Sequence, residues 1–510
     1  MLSDFDVTII GLGPVGSFAA LLMENRGLKV LAIDRDIDIY SLPRAVSISD
    51  QGLRMAQEID LDQIYIKNST EVSGAEFVDK DLNRIGGTLD LKGFITSNAW
   101  PPIRFFHQPY TDRAIRDRLM QSSVTVLLEH EITEMKQEDD LVSLWVKDNK
   151  SRKIKSFTSR YLIGSDGGSS AVRNLLNVKQ EDLNYNRDWV VIDTELLKPN
   201  QPTDKAIQIC DSERLGTFIP AHLPFRRWEF MIHEGEDKEQ FNSDEIIHRL
   251  INKWLSPSEY KIIRKAIYQF HSVLASKFRI GNCFLMGDAA HQNPPFMGEG
   301  LMSGYRDAYN LSWKLACVLK GNCSDELLDS YELERKPHAK FVVENSAGIG
   351  ELMEAYADAK DPNDVPEELV SKGYGSFVLP DLDEGLFYGG KAIKEMFAGQ
   401  LFPQIIKKKN NIIHERLDGI LGKSFAIVSN QKIEINDDQQ EFMDQLNFSY
   451  IELEEDLINA NPWLQRFFEF NRHYLIRPDR YVYGADFKNI TIEKLIEDLR
   501  SRITLSLIHI

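Results

Sequence analysis

The feature that most constrains the fold is a glycine-rich turn near the start of the chain, Gly11-Leu12-Gly13-Pro14-Val15-Gly16. An apolar, β-branched run from Asp6 to Ile10 precedes this turn, and helix formers from Ser17 to Asn25 follow it. A second apolar run extends from Val30 to Asp34. Two apolar strands on either side of a helix predict a βαβ unit within a parallel sheet.

The spacing of the glycines in this turn predicts a dinucleotide-binding site. Gly11 permits the tight turn, Gly13 lets the backbone approach a pyrophosphate, and Gly16 allows the helix to pack closely on the strand. The free N–H groups at the helix N-terminus favour phosphate groups. Asp34 closes the second strand about 20 residues further on, where a carboxylate can accept hydrogen bonds from ribose hydroxyls.

Length, charge and hydrophobicity exclude several classes of protein. The chain has 510 residues, for which we expect about two or three domains. Its net charge of -18 argues against a nucleic-acid partner. No apolar run reaches the roughly 20 residues that a membrane span requires, and Asp4 and Asp6 stand where a secretory signal would carry positive charge. We therefore expect a cytoplasmic protein without membrane association.

The chain has four cysteines, Cys210, Cys283, Cys317 and Cys323, and none of them forms a CxxC pair. This pattern predicts neither a disulfide framework nor a zinc site. We expect four reduced thiols and no metal.

Two further motifs follow apolar strands. The segment Gly164-Ser165-Asp166-Gly167-Gly168-Ser169-Ser170 is typical of a strand-to-helix turn and, taken alone, is only weakly indicative of function. The segment from Cys283 to His291 ends a strand at Asp288, whose carboxylate can bind a ribityl or ribose hydroxyl. It continues through Pro294-Pro295-Phe296-Met297-Gly298-Glu299-Gly300-Leu301-Met302. The proline pair stiffens this loop, and a helix beginning near its end would stabilise negative charge on a ligand bound beside it.

The coarse pattern of strands indicates several domains. Further strands are expected at 125–129, 142–147 and 161–163, and 189–193 and 228–232 are expected to belong to a separate, mostly antiparallel sheet. After Pro403 the pattern starts again, with strands at 425–428 and 474–476 and a closing helix at 492–502.

The three motifs, in this order and spacing, resemble the single-component, class A FAD-dependent aromatic hydroxylases of the p-hydroxybenzoate hydroxylase type. The similarity is greatest to members that act on 3-(3-hydroxyphenyl)propionate. Other shared segments are Pro43-Arg44-Ala45-Val46, His107-Gln108-Pro109, 226–231, 304–308, 331–337 and 477–482.

The resemblance implies an α/β fold in three parts. These are an FAD-binding, Rossmann-like domain of the GR2 type, an inserted, mostly antiparallel substrate-binding sheet, and a thioredoxin-like C-terminal domain without a CxxC pair. The expected boundaries are 1–180 for the first part of the FAD domain, with about 70–105 contributing to the substrate domain, then 181–278, 279–400 and 401–510.

The resemblance also implies site residues. The residues expected to bind FAD are Gly11, Gly13, Pro14, Val15, Gly16, Asp34, Arg35, Arg44, Gln108, Asp166, Gly167, Asp288, Pro295, Gly298, Gly300, Leu301 and Met302. The residues expected at the reacting centre are Pro294, Pro295 and His291, although His291 is also typical of a histidine that packs a loop. Arg226, Trp228 and Met231 are candidate substrate contacts. Arg226 and Arg227 could attract a carboxylate-bearing substrate, and surface charges are the alternative for both. Trp228 and Met231 should lie on opposite faces of a regular strand.

Two positions depart from the family pattern. Glu299 stands where members often carry Gln, and Met302 where they often carry Asn. A glutamate that pointed inward would add negative charge near the flavin.

The activity implied by the resemblance is hydroxylation of a small phenol with NADPH or NADH and O2, through a flavin C4a-hydroperoxide. No second dinucleotide motif is present, so the reductant is expected to bind transiently, and a homodimer is compatible with the family. A larger polycyclic or polyketide-type phenol is the alternative substrate. A flavin halogenase is disfavoured because no two tryptophans are two residues apart. An oxidase and a non-catalytic binding protein of the same fold remain as alternatives.

Overall fold

The computed structural model describes residues 3–183, 185–198, 202–375, 378–409 and 412–504. The strands in this part of the chain are β1 (Phe5–Ile10), β2 (Val30–Ile33), β3 (Ser47–Ser49), β4 (Ser69–Glu71), β5 (Gly74–Asp79), β6 (Arg84–Asp90), β7 (Ile103–Phe106), β8 (Thr125–Leu127), β9 (His130–Glu138), β10 (Leu141–Asp148), β11 (Ile154–Gly164), β12 (Gln180–Asp182), β13 (Arg187–Leu196), β14 (Lys205–Cys210), β15 (Gly216–Ile219), β16 (Phe225–Ile232), β17 (Tyr260–Phe270), β18 (Val273–Ala275), β19 (Arg279–Ile280), β20 (Cys283–Leu285), β21 (His291–Gln292), β22 (Ile406–Lys409), β23 (Ile412–Arg416), β24 (Ala426–Ser429), β25 (Ser449–Glu452), β26 (His473–Ile476) and β27 (Val482–Ala485).

The α-helices in the same ranges are α1 (Pro14–Asn25), α2 (Asp50–Gln57), α3 (Asp62–Lys67), α4 (Gln108–Met120), α5 (Ala171–Leu175), α6 (Asp244–Ile251), α7 (Gly300–Leu319), α8 (Asp329–Asp358), α9 (Glu367–Gly375), α10 (Leu417–Leu421), α11 (Asp437–Gln445), α12 (Glu455–Asn459), α13 (Pro462–Phe468) and α14 (Ile492–Ile503).

An eight-stranded sheet forms the centre of the first part of the chain. β1 lies between β2 and β11 and is parallel to both, with Val7 opposite Val30 on one side and Tyr161 on the other. β20 and β8 extend the parallel core, and β9, β10 and β19 complete the sheet. β2 and the last four residues of β1 are buried, as is typical of central parallel strands. The predicted βαβ unit is confirmed.

A seven-stranded sheet has the order β17-β13-β16-β15-β14-β5-β6, and it is antiparallel except where β14 meets β5. Trp228 of β16 packs on one face of this sheet with Ile247 and Ile251 of α6. Met231, three residues along the same strand, packs on the opposite face with Phe296. The two faces are thus covered by different parts of the chain, which confirms the opposite placement expected for Trp228 and Met231.

A four-stranded sheet with the order β25-β24-β26-β27 lies near the C-terminus. β25 is parallel to β24, β26 is antiparallel to β24, and β27 is antiparallel to β26. Buried charges join this sheet to the earlier helices. Glu334 of α8 accepts from Arg477 Nη2 and from Lys314 Nζ of α7, each at 2.7 Å, and all three side chains are fully buried. These charges therefore fix the position of the C-terminal sheet relative to the helices.

Most predicted strands and the closing helix are confirmed, with shifted ends. The strand expected at 125–129 stops at Leu127, and Glu129 takes a positive φ of 58°, which a strand does not allow. The strand expected at 161–163 begins earlier, at Ile154, because its first half pairs with β10.

The expectation of four reduced thiols is wrong for one pair. Cys317, near the end of α7, forms a disulfide bond with Cys323, which lies six residues further on, after the helix has ended. Cys210 and Cys283 are free and buried. Among the described residues, no helix has the length and apolar character needed to cross a membrane.

Candidate functional site

One cavity of about 490 Å³ lies between the end of the parallel sheet and the seven-stranded sheet. Fifteen of the residues expected to bind a cofactor line it, namely Gly11, Gly13, Pro14, Val15, Asp34, Arg35, Arg44, Gln108, Asp166, Gly167, Asp288, Pro295, Gly298, Gly300 and Leu301. The structure therefore brings together segments that are up to 290 residues apart in the sequence, since both Gly11 and Leu301 line the same wall.

The glycine turn after β1 has the close contacts that its sequence predicts. A Cβ at Gly16 would lie 1.9 Å from the Gly11 carbonyl oxygen and 2.5 Å from Ser165 Oγ. Gly11 has a φ of +95°, and a Cβ there would lie 2.6 Å from the Asp166 Cα. Gly13 differs, because a Cβ there would meet nothing within 4 Å. A side chain at Gly11 or Gly16 would thus collide with neighbouring protein atoms, whereas a side chain at Gly13 would extend into the open cavity.

Polar groups surround this turn. α1 begins after Gly13 without a side-chain cap, so the N–H groups of its first turn face the cavity end of the helix. The Asp34 carboxylate accepts from Leu12 N at 2.8 Å and lies 3.7 Å from Arg116 Nη2. Arg116 donates from Nη2 to the Leu12 carbonyl at 2.8 Å, while its Nε and Nη1 have no partner among the described residues.

Gln108 holds the Pro43–Val46 segment beside the cavity. Its Oε1 accepts from the backbone N–H groups of Arg44 and Ala45, each at 2.7 Å. Its Nε2 donates to Asp112 Oδ2 at 3.0 Å. The Arg44 guanidinium lies over the Tyr40 ring, 4.5 Å from its centre. Gln108 therefore positions the backbone around Arg44 through its amide oxygen.

The second motif uses its carboxylate to begin a helix. Asp166 accepts from Ser170 Oγ at 2.5 Å and from the backbone N–H groups of Ala171 and Val172 at 2.7 and 3.1 Å. It also lines the cavity together with Gly167. The carboxylate thus caps α5 while the motif's backbone forms part of the cavity wall.

Asp288 stands at the end of β20, where a tight helical turn, Gly287–Ala289, delivers its side chain to the cavity. The side chain opens into the cavity, and the protein around that cavity raises the pKa of the carboxyl by desolvation, while His291 and Arg44 lower it. A carboxylate in this position can accept hydrogen bonds from hydroxyl groups of a ligand.

The loop before α7 presents Pro295, Gly298, Gly300 and Leu301 to the cavity. α7 begins at Gly300, and Glu299 precedes it without making a side-chain cap. The N-terminal end of this 20-residue helix therefore faces the cavity and favours negative charge there.

Four of the residues predicted for the cofactor or the reacting centre do not line the cavity. Gly16 packs beneath the turn, and Met302 is buried against Gly52 of α2. Pro294 precedes the turn Pro295–Met297 and directs its carbonyl to the Asn293 amide. His291 is buried, and its Nε2 lies 2.7 Å from Asp307 Oδ2.

His291 belongs to a buried network rather than to the cavity. Asp307 also accepts from Gly287 N at 3.0 Å and from Arg335 Nε at 2.9 Å. This network fixes the turn that carries Asp288 against α7 and α8. The alternative of a histidine that packs the loop matches this position better than a role at the reacting centre.

The departure at Glu299 has a structural partner. Its Oε2 lies 2.8 Å from Nη2 of Arg306, which stands about two turns further along in α7. Glu299 is not among the residues that line the cavity. The condition under which Glu299 would add negative charge near the flavin, a side chain that points into the cavity, is therefore not met.

The expectation of surface charges at Arg226 and Arg227 is wrong, because both side chains are buried. Arg226 donates to the Ala221 and Phe225 carbonyls and does not line the cavity. Trp228 is a core residue on the far face of the sheet. We therefore drop Arg226 and Trp228 from the candidate substrate site, and Met231 stays in it only as a neighbour of Phe296.

Several cavity residues were not found by sequence reasoning. They are Arg116 of α4, Ile219 of β15, Glu229 of β16, Gln269 of β17 and His271 after it. Arg227, which the sequence offered as a contact for a substrate carboxylate, also lines the cavity. Successive side chains of a strand point to opposite faces. A buried Trp228 on one face of β16 would therefore have placed Arg227 and Glu229 together on the other face, and this alternation was the available signal. No local pattern marks Arg116. Among the described residues, no cluster of His, Cys, Asp and Glu could hold a metal ion.

The cavity residues fit FAD, the cofactor that the resemblance implies. Gly13 leaves room for a pyrophosphate, the first turn of α1 offers uncapped N–H groups, and Arg116 has buried nitrogens without partners. Such nitrogens are costly to bury unless a ligand satisfies them. Asp34 and Asp288 supply acceptors for hydroxyl groups at two separate places in the cavity.

The chain is similar in sequence to several hydroxylases. A 3-(3-hydroxy-phenyl)propionate/3-hydroxycinnamic acid hydroxylase of Shigella sonnei is 33% identical over 353 residues, which are 68% of this chain and 62% of that protein. A protein of the same name from Escherichia coli has the same identity and coverage. The matched region thus spans less than two thirds of the length of these relatives.

Solved structures match nearly the whole chain. The flavin-dependent monooxygenase PieE, in complex with FAD and substrate, has a TM-score of 0.80 at 16% identity and covers 98% of this chain and 99% of its own. Aklavinone-11 hydroxylase, with FAD and aklavinone, has a TM-score of 0.79 at 18% identity and the same coverage. These likenesses show the mixed α/β fold. The family model described as "FAD binding domain" matches residues 4–346, and the chain therefore belongs to the FAD-binding domain family.

Proposed function

We propose that the protein is an FAD-dependent monooxygenase that hydroxylates a phenolic ring with NADPH or NADH and O2. The observation that carries this proposal is the continuity of one cavity. It joins the dinucleotide turn at Gly13, the carboxylate of Asp288 and the loop at Pro295 to the polar wall of the seven-stranded sheet at Glu229. A cofactor and a small substrate can therefore meet in it. The names of the curated relatives support hydroxylation as the reaction.

The residues around the turn would hold the nucleotide half of FAD. Gly13 and the start of α1 would receive the pyrophosphate, Arg116 would pair with its charge, and Asp34 would accept from ribose hydroxyls. Asp288 would bind hydroxyls of the ribityl chain. The loop at Pro295 and Gly300 would lie against the flavin ring, with the N-terminus of α7 favouring negative charge on it.

When bound and reduced by NADPH or NADH, FAD supplies an activated oxygen atom derived from O2 to the substrate ring. The chain's own contribution is to orient the ring and to exclude water. Gln108 fixes the backbone at Arg44 and Ala45, and Arg227 clamps the same segment to the sheet. These contacts hold one wall of the cavity in place over the reacting region.

The proposed substrate is a small phenol, as the names of the curated relatives suggest. A larger substrate is the alternative, because the aklavinone-11 hydroxylase structure matches 98% of this chain and contains aklavinone. A cytoplasmic location, where reduced nicotinamide cofactors are available, is part of the proposal. A homodimer rests on the family resemblance alone.

The division of the chain is also a proposal. The eight-stranded sheet supports a GR2-type FAD domain at 1–180 and 279–400, and β13 to β17 support a substrate domain at 181–278 with β5 and β6 added from 70–105. The four-stranded sheet, with its parallel and antiparallel pairs, supports a thioredoxin-like unit at 401–510.

The test of the activity is oxidation of NADPH and NADH by the FAD-loaded protein, with and without a panel of phenols, while peroxide and product are both followed. We expect phenols to stimulate oxidation and to yield hydroxylated product with little peroxide. Oxidation that no phenol stimulates, or that ends entirely in peroxide, would contradict the hydroxylase assignment. A protein that takes up no FAD would favour a non-catalytic binding protein.

A further inference from the structure

The cavity wall opposite the nucleotide turn is formed by β16 of the seven-stranded sheet. Arg227, Glu229 and Met231 alternate along one face of this strand, while Trp228 occupies the other. Arg227 contacts the Pro43–Arg44 segment, and Met231 packs with Phe296 of the loop before α7. Glu229 therefore lies between two elements that frame the reacting end of the cavity.

Arg227 is already fully engaged by the protein. Its Nε donates to Asp193 Oδ1 at 2.7 Å, its Nη1 to the Arg44 carbonyl at 2.7 Å and its Nη2 to the Pro43 carbonyl at 2.6 Å. Arg264 also binds Asp193 and the Pro43 carbonyl. The positive charge nearest to Glu229 is thus committed to holding the wall together and is not free to bind a substrate carboxylate.

Glu229 is different. The residue is only 3% exposed, and among the described residues no donor forms a hydrogen bond to its carboxyl. Its closest charged neighbour is Arg227, with 3.9 Å between Nη1 and Oε1, which is too long for a hydrogen bond. A buried carboxyl without a hydrogen-bond donor is unfavourable unless a ligand supplies one. Glu229 lines the cavity, so a ligand bound there can do so.

We propose that Glu229 accepts a hydrogen bond from the phenolic hydroxyl of the substrate and takes its proton as the ring is hydroxylated. The inference rests on the proposed function. The phenol O–H bond breaks, the proton moves to a carboxylate oxygen of Glu229, and the bonding pair stays on the phenolic oxygen. That oxygen then donates electron density to the ortho and para carbons of the ring. Glu229 is on this account a catalytic residue, and it disfavours a substrate carboxylate at the same place.

The charges around Glu229 suit this task. Desolvation raises the pKa of its carboxyl to about 7, Arg227 and Arg264 lower it, and Asp193 raises it further. A base is most effective when its pKa lies near the working pH. Because only the ionised carboxylate accepts the hydroxyl proton, phenol binding and hydroxylation should both strengthen as the pH rises through about 7.

The experiment compares the FAD-loaded wild type with Glu229→Gln, which keeps the size of the side chain but cannot take the proton. The matched control is Glu76→Gln, since Glu76 lies on β5 of the same sheet, pairs with Lys205 and does not line the cavity. Uncharged phenols are titrated into each protein at pH values below and above the Glu229 pKa, and binding is read from the flavin absorbance. Hydroxylation rates are measured in parallel, including those of fluorinated phenols that are already ionised.

For Glu229→Gln we expect binding weakened by about tenfold to a hundredfold above neutral pH, and no strengthening of binding with pH. The hydroxylation rate should fall by about 10² to 10⁴-fold for neutral phenols. Ionised phenols should recover part of that rate, because they have no proton to lose. A merely structural role for Glu229 would not produce this recovery.

The outcomes separate this inference from the proposed function. Equal binding, rates and pH profiles in wild type and Glu229→Gln would overturn the role of Glu229 while leaving the hydroxylase assignment intact. Loss of the pH-dependent binding without hydroxylation in any protein would support Glu229 as the phenol acceptor and contradict the activity. Failure of every phenol to bind the wild type would overturn both. If Glu229→Gln does not fold, wild-type binding that is independent of pH would overturn the inference.

Discussion

The two glycines at either side of the start of α1 should respond in opposite ways to the addition of one methyl group. At Gly13 an alanine Cβ would meet no protein atom within 4 Å, and the backbone there has φ -64°, which alanine adopts freely. The stability of Gly13→Ala without cofactor should therefore stay within about 0.5 kcal/mol of the wild type. The methyl group enters the space left for the pyrophosphate, and FAD affinity should fall at least tenfold, or about 1.4 kcal/mol.

Gly16→Ala is the contrasting variant. Its Cβ would lie 1.9 Å from the Gly11 carbonyl oxygen, which is backbone and cannot rotate away. Alanine gains about 1 kcal/mol of helix propensity over glycine, but overpacking of this kind costs about 1 to 3 kcal/mol and here moves the turn itself. We expect both a lower melting temperature without cofactor and weaker FAD binding.

The assay is a thermal melt of each protein after removal of FAD, followed by titration with FAD monitored by flavin fluorescence. Wild-type FAD affinity in Gly13→Ala would refute the assignment of the turn to the cofactor. A large loss of stability in Gly13→Ala without cofactor would refute the geometric distinction between Gly13 and Gly16.

Three further predictions concern charged side chains. Asp288→Ala should stay folded but bind FAD about tenfold to a hundredfold more weakly in equilibrium titrations, since it removes a carboxylate acceptor; full FAD occupancy would contradict its role. Arg477→Met should lower the melting temperature through a loss of about 3 to 5 kcal/mol, because Glu334 stays buried with one partner fewer; an unchanged melt would contradict the account of the C-terminal interface. Glu229 has a pKa raised from 4.5 to about 7, so the folded wild type binds a proton that the unfolded chain has released between these values. Relative to Glu229→Gln, the wild type should therefore be most stable at low pH and lose about 3 kcal/mol as the pH rises from about 4.5 to about 7. Melts of both proteins across this range check the sign, and a constant difference would show that the pKa is not raised.

The elements that could be predicted from the sequence are those with a local signal. The glycine turn at 11–16 combines a β-branched strand, fixed glycine spacing and a following run of helix formers, so neighbouring residues alone determine it. Asp288 was predictable for the same reason, because an apolar strand ends at Leu285, three residues before it. Such signals do not depend on what packs against the segment.

The residues that were missed reach the cavity through long-range packing. Arg116 comes from α4, which packs on α1, and its sequence surroundings resemble those of any exposed helix face. Glu229 lies in a run of charges that resembles a solvated strand, and only the pairing of β16 with β13 and β15 buries it. The Cys317–Cys323 pair was missed because it depends on how the chain turns after α7.

His291 shows the opposite error. Its position beside the Asp288 motif suggested chemistry, but its side chain turns away from the cavity to Asp307. Proximity in sequence to a site residue did not predict a place in the cavity, because Asp307 of α7 binds the imidazole three residues after Asp288.

The measurement that tests the central claim most directly is the fate of isotopically labelled O2. The FAD-loaded protein is supplied with NADPH or NADH and with the phenol that best stimulates oxidation, under labelled O2 in unlabelled water. The account predicts that the product carries one labelled hydroxyl oxygen for each reduced nicotinamide consumed. Product oxygen that comes from water, or label that appears only in peroxide, would contradict it.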